Sequence, residues 1–218
     1  MRVIVKFYGY ISRLIKKLDK SYFKIFGKKV KDCNSILDLG CGKGSLVLKK
    51  IGKNFEFSVG IDIFKDYIED CKKKNYYDEY VIMDILKIDE KFSPKSFDCV
   101  VLLDVIEHLE RSEVVNLIRK IENIAIKKII IFTPNGFLPQ KIYDNNFHQI
   151  HRSGWDVNIF KKMSFKVYGI NGLKFIRGEF AHIKLKPTKL WENISILSNI
   201  LVRFFPNWAF QLFCIKKV

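Results

Sequence analysis

The sequence predicts an α/β protein: a doubly wound, mostly parallel sheet of seven strands preceded by an N-terminal amphipathic helix. Apolar runs alternate with amphipathic stretches from Ile36 to Ile170, the pattern of strands joined by crossover helices. Glycines follow the first apolar run at alternate positions, Gly40, Gly42 and Gly44, where a strand would turn into a helix. Acids stand at or near the ends of three successive runs, at Asp38, Asp62 and Asp84.

In chain order, Ile4, Phe7 or Tyr8, Ile11, Leu14 or Ile15, and Leu18 recur at helical spacing, with Arg13, Lys16, Lys17 and Lys20 elsewhere around the helix. Residues 1–30 are therefore expected to form a basic amphipathic extension. Its first reading is a lid packed on the sheet domain; binding to a membrane surface is the rival. The main domain is expected over residues 31–218. Strands are expected at Ser35–Leu39, Phe55–Ile61, Glu79–Met83, Asp98–Leu103, Lys128–Phe132, Phe165–Ile170 and Ala209–Lys216. Helices fill the gaps at Ser45–Ile51, Lys65–Lys74, Val105–Asn123 and Asp156–Met163. A helical cap near 187–206 contains the apolar stretch Leu190–Phe205, where Glu192, Arg203 and Pro206 argue against a membrane span; it is expected to shield an acceptor pocket.

The bulk properties narrow the class. At 218 residues and 48% hydrophobic content the chain can fill one domain core. Five cysteines lie without a CxxC pair, which suggests neither a disulfide framework nor a zinc knuckle and fits a reducing cytoplasm. No run reaches the roughly 20 apolar residues of a bilayer span, and the start lacks a signal-peptide pattern, so a soluble protein is expected. A net charge of +16 invites an anionic partner, but the lysines are spread along the whole chain. A nucleic-acid partner is therefore not favoured.

The segment Ile36-Leu-Asp-Leu-Gly-Cys-Gly-Lys-Gly-Ser-Leu46 carries the chemistry. A dinucleotide would bring a pyrophosphate to this turn, and the Asp38 carboxylate would repel it. S-adenosylmethionine carries an ammonium and a sulfonium, which an acid attracts. The dinucleotide fingerprint also wants its third glycine at position 45, which is Ser45. Asp62, about 20 residues beyond the glycines, stands where a ribose diol can be held, and Asp84 where an adenine amino group can be met.

With these residues the chain resembles the class I S-adenosylmethionine-dependent methyltransferases, from about Asn34 to Phe132 most closely. The resemblance implies the Rossmann-like methyltransferase fold with an antiparallel last strand, and S-adenosylmethionine as cofactor. It implies that Asp38, Gly40, Cys41, Gly42 and Gly44 hold the methionine part, Asp62 and Ile63 the ribose and adenine face, and Asp84 and Ile85 the adenine. Asp104 completes the candidate cofactor set. Thr133-Pro-Asn-Gly136 and His148-Gln-Ile-His-Arg-Ser-Gly-Trp155 resemble small bacterial and archaeal members whose acceptors are mostly unassigned.

The candidate catalytic residues are His108, His148 and His151. Leu103-Asp-Val-Ile-Glu-His-Leu109 puts Asp104, Glu107 and His108 at i, i+3 and i+4 of an expected helix. Families that methylate quinone-precursor catechols or RNA 3′ ends hold a metal on a similar Glu-x-x-Glu-His set. Here Asp104 replaces the first Glu, and Asp104 with Glu107 also makes a capping box. The capping box is preferred, and no metal is assigned. His148 and His151 belong to a loop after the fifth strand, where either can act as a base or serve as a further metal ligand with His108. Arg152 and Trp155 beside them can meet an anionic or planar acceptor.

No Asn/Asp-Pro-Pro-aromatic turn follows the fourth strand, which argues against exocyclic base amines as acceptors, and Cys99 lies inside a strand rather than on a loop. The leading expectation is an enzyme that methylates an O or N atom of a small molecule. An RNA methyltransferase is the alternative, and a non-catalytic or membrane-peripheral scaffold the third. The oligomeric state is not read from the sequence.

Overall fold

The computed structural model describes residues 21–45, 48–49, 55–142 and 144–218. The amphipathic pattern over residues 1–20 lies outside the described residues, as does most of the helix expected at Ser45–Ile51. Seven strands are present: β1 (Ser35–Leu39), β2 (Phe57–Asp62), β3 (Glu79–Ile82), β4 (Phe97–Leu103), β5 (Ala125–Pro134), β6 (Lys166–Leu173) and β7 (Ala209–Lys217). They form one sheet in the order β3-β2-β1-β4-β5-β7-β6. β1 to β5 pair in parallel, whereas β7 runs antiparallel to both β5 and β6. The strand order reverses at β1, between β2 and β4. Ligands of open α/β sheets bind in the crevice at such a point, outside the carboxyl ends of the strands.

Both faces of the sheet are covered. Helix α1 (Ser21–Lys29) buries Phe26 completely, with its ring edge-on to Phe132 at 5.9 Å. Ile36, Val101, Ile130 and Phe213 join it on that face. Helix α2 (Lys65–Lys72) buries Ile68 and Cys71 beside Cys41 and Tyr77. Helix α3 (Arg111–Ile124) lays Val114, Leu117, Ile118 and Ile121 at helical spacing onto the opposite face. Helix α4 (Val157–Lys162) adds Val157 and Phe160, and Asp156 caps it by accepting from the Asn158 and Ile159 amides. Burial on this scale is the main source of stability in a fold of this size. All five cysteines are buried and unbridged.

One expected helix breaks in two. Val105–Asn123 is not continuous: Asp104 sits at φ +56°, Ile106–His108 form a single 3₁₀ turn, and Leu109 is extended. The capping box belongs to Glu110 and Glu113, at the true start of α3, and not to Asp104 and Glu107. Asp104, Glu107 and His108 therefore do not share a helix face.

The expected cap is a pair of helices, α5 (Thr188–Leu197) and α6 (Asn199–Phe204), packed on β6. The approach is close: a Cβ at Gly169 would meet the Val202 carbonyl oxygen at 2.2 Å. Gly169→Ala is expected to lower stability by about 1–3 kcal/mol. Urea unfolding of the purified variant measures it.

Candidate active site

Two adjoining clefts open at the carboxyl edge of the sheet. The first, about 220 Å³, is lined by Gly40 and Val105 at its base and by Asp62, Ile63, Asp84 and Ile85 along one wall. The second, about 340 Å³, is lined by Glu107, Pro134, His151, Phe180 and Gln211. Asp104, His108 and Gln149 line both. Ligands seated in the two clefts would therefore meet at these three residues. Neither lining includes a residue of α5 or α6, so the cap does not shield either cleft.

Of the turn after β1 only Gly40 lines the first cleft; Asp38, Gly42 and Gly44 stand behind that lining. Gly42 takes φ +54° with no heavy atom within 4 Å of where a Cβ would stand, which leaves its backbone open to a ligand. The Gly42 amide donates to Asp62 Oδ2 (2.9 Å), and the Phe64 amide to Oδ1 (2.8 Å). Each Asp62 oxygen keeps a further lone pair. Burial raises the Asp62 pKa above the usual carboxylate value. Ile63 beside it is exposed, an apolar platform at the cleft wall. Asp84 turns Oδ1 to the Leu86 amide (2.9 Å) and starts the 3₁₀ turn that buries Ile85.

Asp38 is held differently. It is 1% exposed, and Tyr77 donates its hydroxyl to Oδ2. Oδ1 has no hydrogen-bond partner among the described residues. Burial pushes the Asp38 pKa up to about 7, against the lowering effect of the Tyr77 hydroxyl. An orphaned carboxylate oxygen in such a setting suits a ligand cation and disfavours a phosphate. Cys41 is 6% exposed and its thiol packs with Cys71 and Tyr77, so its side chain does not line the cleft.

The second cleft centres on imidazoles. The Arg152 and Ser153 amides donate to the Glu107 carbonyl (2.7 and 3.1 Å), which ties the loop after β5 to the Ile106–His108 turn. That brings the His108 and His151 rings to 4.8 Å between centroids. His108 Nδ1 lies 3.3 Å from the Ile150 carbonyl, and His151 Nδ1 contacts the Leu138 carbonyl. A carbonyl only accepts, so a ring Nδ1 facing one carries the hydrogen, which leaves the Nε2 lone pair of His151 available. Burial lowers both pKa values, that of His108 to about 4 with a further contribution from His151. Both rings are therefore neutral at neutral pH.

Glu107 is 2% exposed and accepts from the Thr133 hydroxyl (3.0 Å); burial, then the Asp104 charge, raise its pKa well above the ordinary value. Glu107, His108 and His151 offer ligand atoms that all lie within 4.8 Å of one another. Asp104 is turned away to Gln211, whose amide donates to Oδ1 (2.6 Å). His148 is exposed and lines the first cleft with Asp62 and Asp84, outside that trio. Trp155 faces no acceptor. It is 1% exposed, packs on Phe160 and donates Nε1–H to Ser153 Oγ (2.9 Å). Arg152 remains exposed at the first cleft.

Tyr77, Thr133 and Gln211 were not among the sequence candidates. Gln211 left a signal, a lone amide within the apolar run Ala209–Ile215, and Thr133 opens the Thr133-Pro-Asn-Gly136 segment; Tyr77 left none.

The buried Asp38 makes stability depend on pH. Its folded pKa of about 7 exceeds the unfolded value of 3.8, so its contribution is intact below pH 3.8 and is lost as pH rises through 7. The slope contributed by this group approaches about 1.4 kcal/mol per pH unit between the two values. Urea unfolding of the ligand-free protein from pH 5 to pH 8 is expected to show that loss, and Asp38→Asn to reduce its slope.

Residues 37–129 match the family described as a methyltransferase domain. An (S)-coclaurine N-methyltransferase from Thalictrum flavum subsp. glaucum is 25% identical over 131 residues, 58% of this chain and 35% of that enzyme. The chain thus spans about a third of the length of that plant relative. An uncharacterised protein of Methanocaldococcus jannaschii is 25% identical over 203 residues, covering 92% of this chain and 83% of its own. A solved S-adenosylmethionine-dependent methyltransferase from Archaeoglobus fulgidus shares the fold with a TM-score of 0.55 at 18% identity, covering 90% of this chain and 94% of that one. Residues 37–129, which span the glycine turn and its carboxylate wall, thus match a methyltransferase domain, and the chain has the fold of a solved S-adenosylmethionine-dependent methyltransferase.

Proposed function

We propose that the protein transfers the methyl group of S-adenosylmethionine to an O or N atom of a small-molecule acceptor seated beside His108 and His151. The observation that carries this reading is the pair of clefts that share Asp104, His108 and Gln149. One has a carboxylate-lined wall suited to a nucleoside, the other a pair of neutral imidazoles. The cofactor supplies a methyl group already activated by its sulfonium.

The chain's own residues bind, orient and move a proton. The unpartnered Asp38 oxygen suits the methionine ammonium, and the open backbone at Gly42 admits that part of the cofactor closely. Asp62 can accept from both ribose hydroxyls on its remaining lone pairs, with its geometry set by the Gly42 and Phe64 amides. Ile63 and Ile85 offer apolar contact to the adenine, and the free Asp84 oxygen an acceptor for its amino group. On the other side, orientation of the acceptor lone pair does most of the work. His151, neutral and turned by the Leu138 carbonyl so that Nε2 is available, takes the proton of a hydroxyl acceptor as it becomes nucleophilic. His108 at 4.8 Å can share that role.

A second reading concerns how the acceptor is held, and the Glu107, His108 and His151 trio favours it. One carboxylate and two neutral imidazoles suit a divalent transition metal. Such an ion would orient an acceptor oxygen and ease its deprotonation.

Incubation of the protein with isotopically labelled cofactor and cell extract, followed by identification of the labelled product, tests the activity. Label on a metabolite supports the reading, and label on RNA contradicts it. Asp62→Ala is expected to weaken cofactor binding by about 1.5–3 kcal/mol by calorimetry. His151→Ala is expected to leave that affinity unchanged and to reduce turnover about 10²-fold or more for a hydroxyl acceptor. Loss of turnover on chelation, restored by Mn²⁺ or Zn²⁺, separates the metal reading from the metal-free one.

A further inference from the structure

The helices between β6 and β7 are amphipathic in the reverse sense. Several of the side chains they turn toward β6 and its flanking turn are polar. Ser195 is fully buried and accepts from Arg177 Nε (2.9 Å), Ser198 Oγ accepts from the Leu173 amide (3.1 Å), and Asn199 Oδ1 accepts from the Gly172 amide (2.9 Å). Only Ile196 and Val202 add buried apolar contact there. Five large apolar side chains are turned to solvent instead: Leu190, Leu197, Ile200, Leu201 and Phe204, the last 74% exposed. Immediately beyond, Phe205 and Trp208 stack at 5.2 Å, both more than half exposed. A surface helix normally buries its apolar stripe, and single exposed apolar residues are ordinary; a continuous stripe ending in stacked aromatics is not.

The charges around the stripe have one dominant sign. Lys184, Lys186, Lys189 and Arg203 are exposed, and Glu192 is the one acid between positions 183 and 208. Two copies meeting through this face would bring these cations together. An anionic lipid surface would instead meet both parts of the patch: headgroups pair with the basic fringe, while Phe204, Leu201 and the Trp208 ring enter the boundary between headgroups and acyl chains. Among the described residues no helix is long and apolar enough to cross a membrane, so the contact is interfacial.

We propose that α5, α6 and the Phe205–Trp208 turn form a docking surface that seats the protein on an anionic bilayer. The patch is tied to the site. The Asn135 side-chain amide donates to the Pro206, Asn207 and Ala209 carbonyls (3.1, 3.0 and 2.9 Å) and so holds the aromatic turn against the residue that follows β5. Pro134, the last residue of β5, and Phe210 and Gln211 of β7 line the second cleft. Docking would bring that cleft near the lipid surface, where an amphiphilic acceptor would reside; this last consequence rests on the proposed function, whereas the docking itself does not.

Flotation of the full chain with phosphatidylcholine vesicles, with and without phosphatidylglycerol, tests the proposal. Binding to the anionic vesicles that weakens with added salt is expected, with little binding to the neutral ones. The double substitution Leu201→Glu, Phe204→Glu, at exposed positions, is expected to reduce that binding at least about tenfold. S-adenosylmethionine affinity by calorimetry should stay unchanged, as a control for folding. Absence of binding to anionic vesicles overturns the proposal. So does binding that the double variant retains and removal of residues 1–20 abolishes, or self-association that the double variant disrupts with no vesicle binding in the parent protein.

Discussion

One buried carboxylate sets the terms for this site. Asp38 stands in the penultimate position of β1, next to the point where the sheet reverses direction, with one oxygen held by Tyr77 and the other unpaired. A buried carboxylate without a full set of partners is costly, and the protein meets part of that cost by raising its pKa. A cation placed there removes the remainder. On the proposed function, the turn after β1 would favour a positively charged ligand, in contrast to the phosphate-binding turn of dinucleotide folds, although both use glycines at the same strand-to-helix junction.

The second cleft depends on a backbone break. If Val105 to Asn123 were one helix, Glu107 and His108 would project from it one turn above Asp104. The left-handed conformation at Asp104 and the single 3₁₀ turn instead bury Glu107 under Thr133 and leave its carbonyl free for the Arg152 and Ser153 amides. The loop after β5 is thereby stitched to the turn after β4, and His151 reaches His108. Two histidines far apart in sequence become one neutral pair, each with its Nδ1 turned to a peptide carbonyl.

Much of this was legible in the sequence. The seven strands follow from period and apolarity, and their carboxyl-end acids Asp38, Asp62 and Asp84 follow from position. These are local signals, which survive folding with only shifts of a few residues at their ends. What was missed depends on contacts between distant segments. The capping-box reading of Asp104 and Glu107 failed because tertiary hydrogen bonds outweighed a local helical preference that Glu110 and Glu113 satisfy equally well. Trp155 beside His151 looked like an acceptor platform; its indole is instead the core residue that anchors the loop. Tyr77 could not be paired with Asp38 from spacing alone. The apolar cap was visible as a run, but which side of it faces water is decided by Ser195, Ser198 and Asn199 meeting β6 and the turn after it.

The claim that Asp38 recruits a cation is tested most directly by measuring S-adenosylmethionine affinity against pH by calorimetry. A carboxyl group that titrates near 7 in the free protein must be ionised to attract the ammonium. The dissociation constant should therefore be level near pH 8 and rise below pH 7, approaching about tenfold per pH unit at its steepest, and Asp38→Asn should weaken binding and flatten that dependence. An affinity that is unchanged from pH 8 to pH 6, or one equally sensitive to pH after the substitution, would contradict the account.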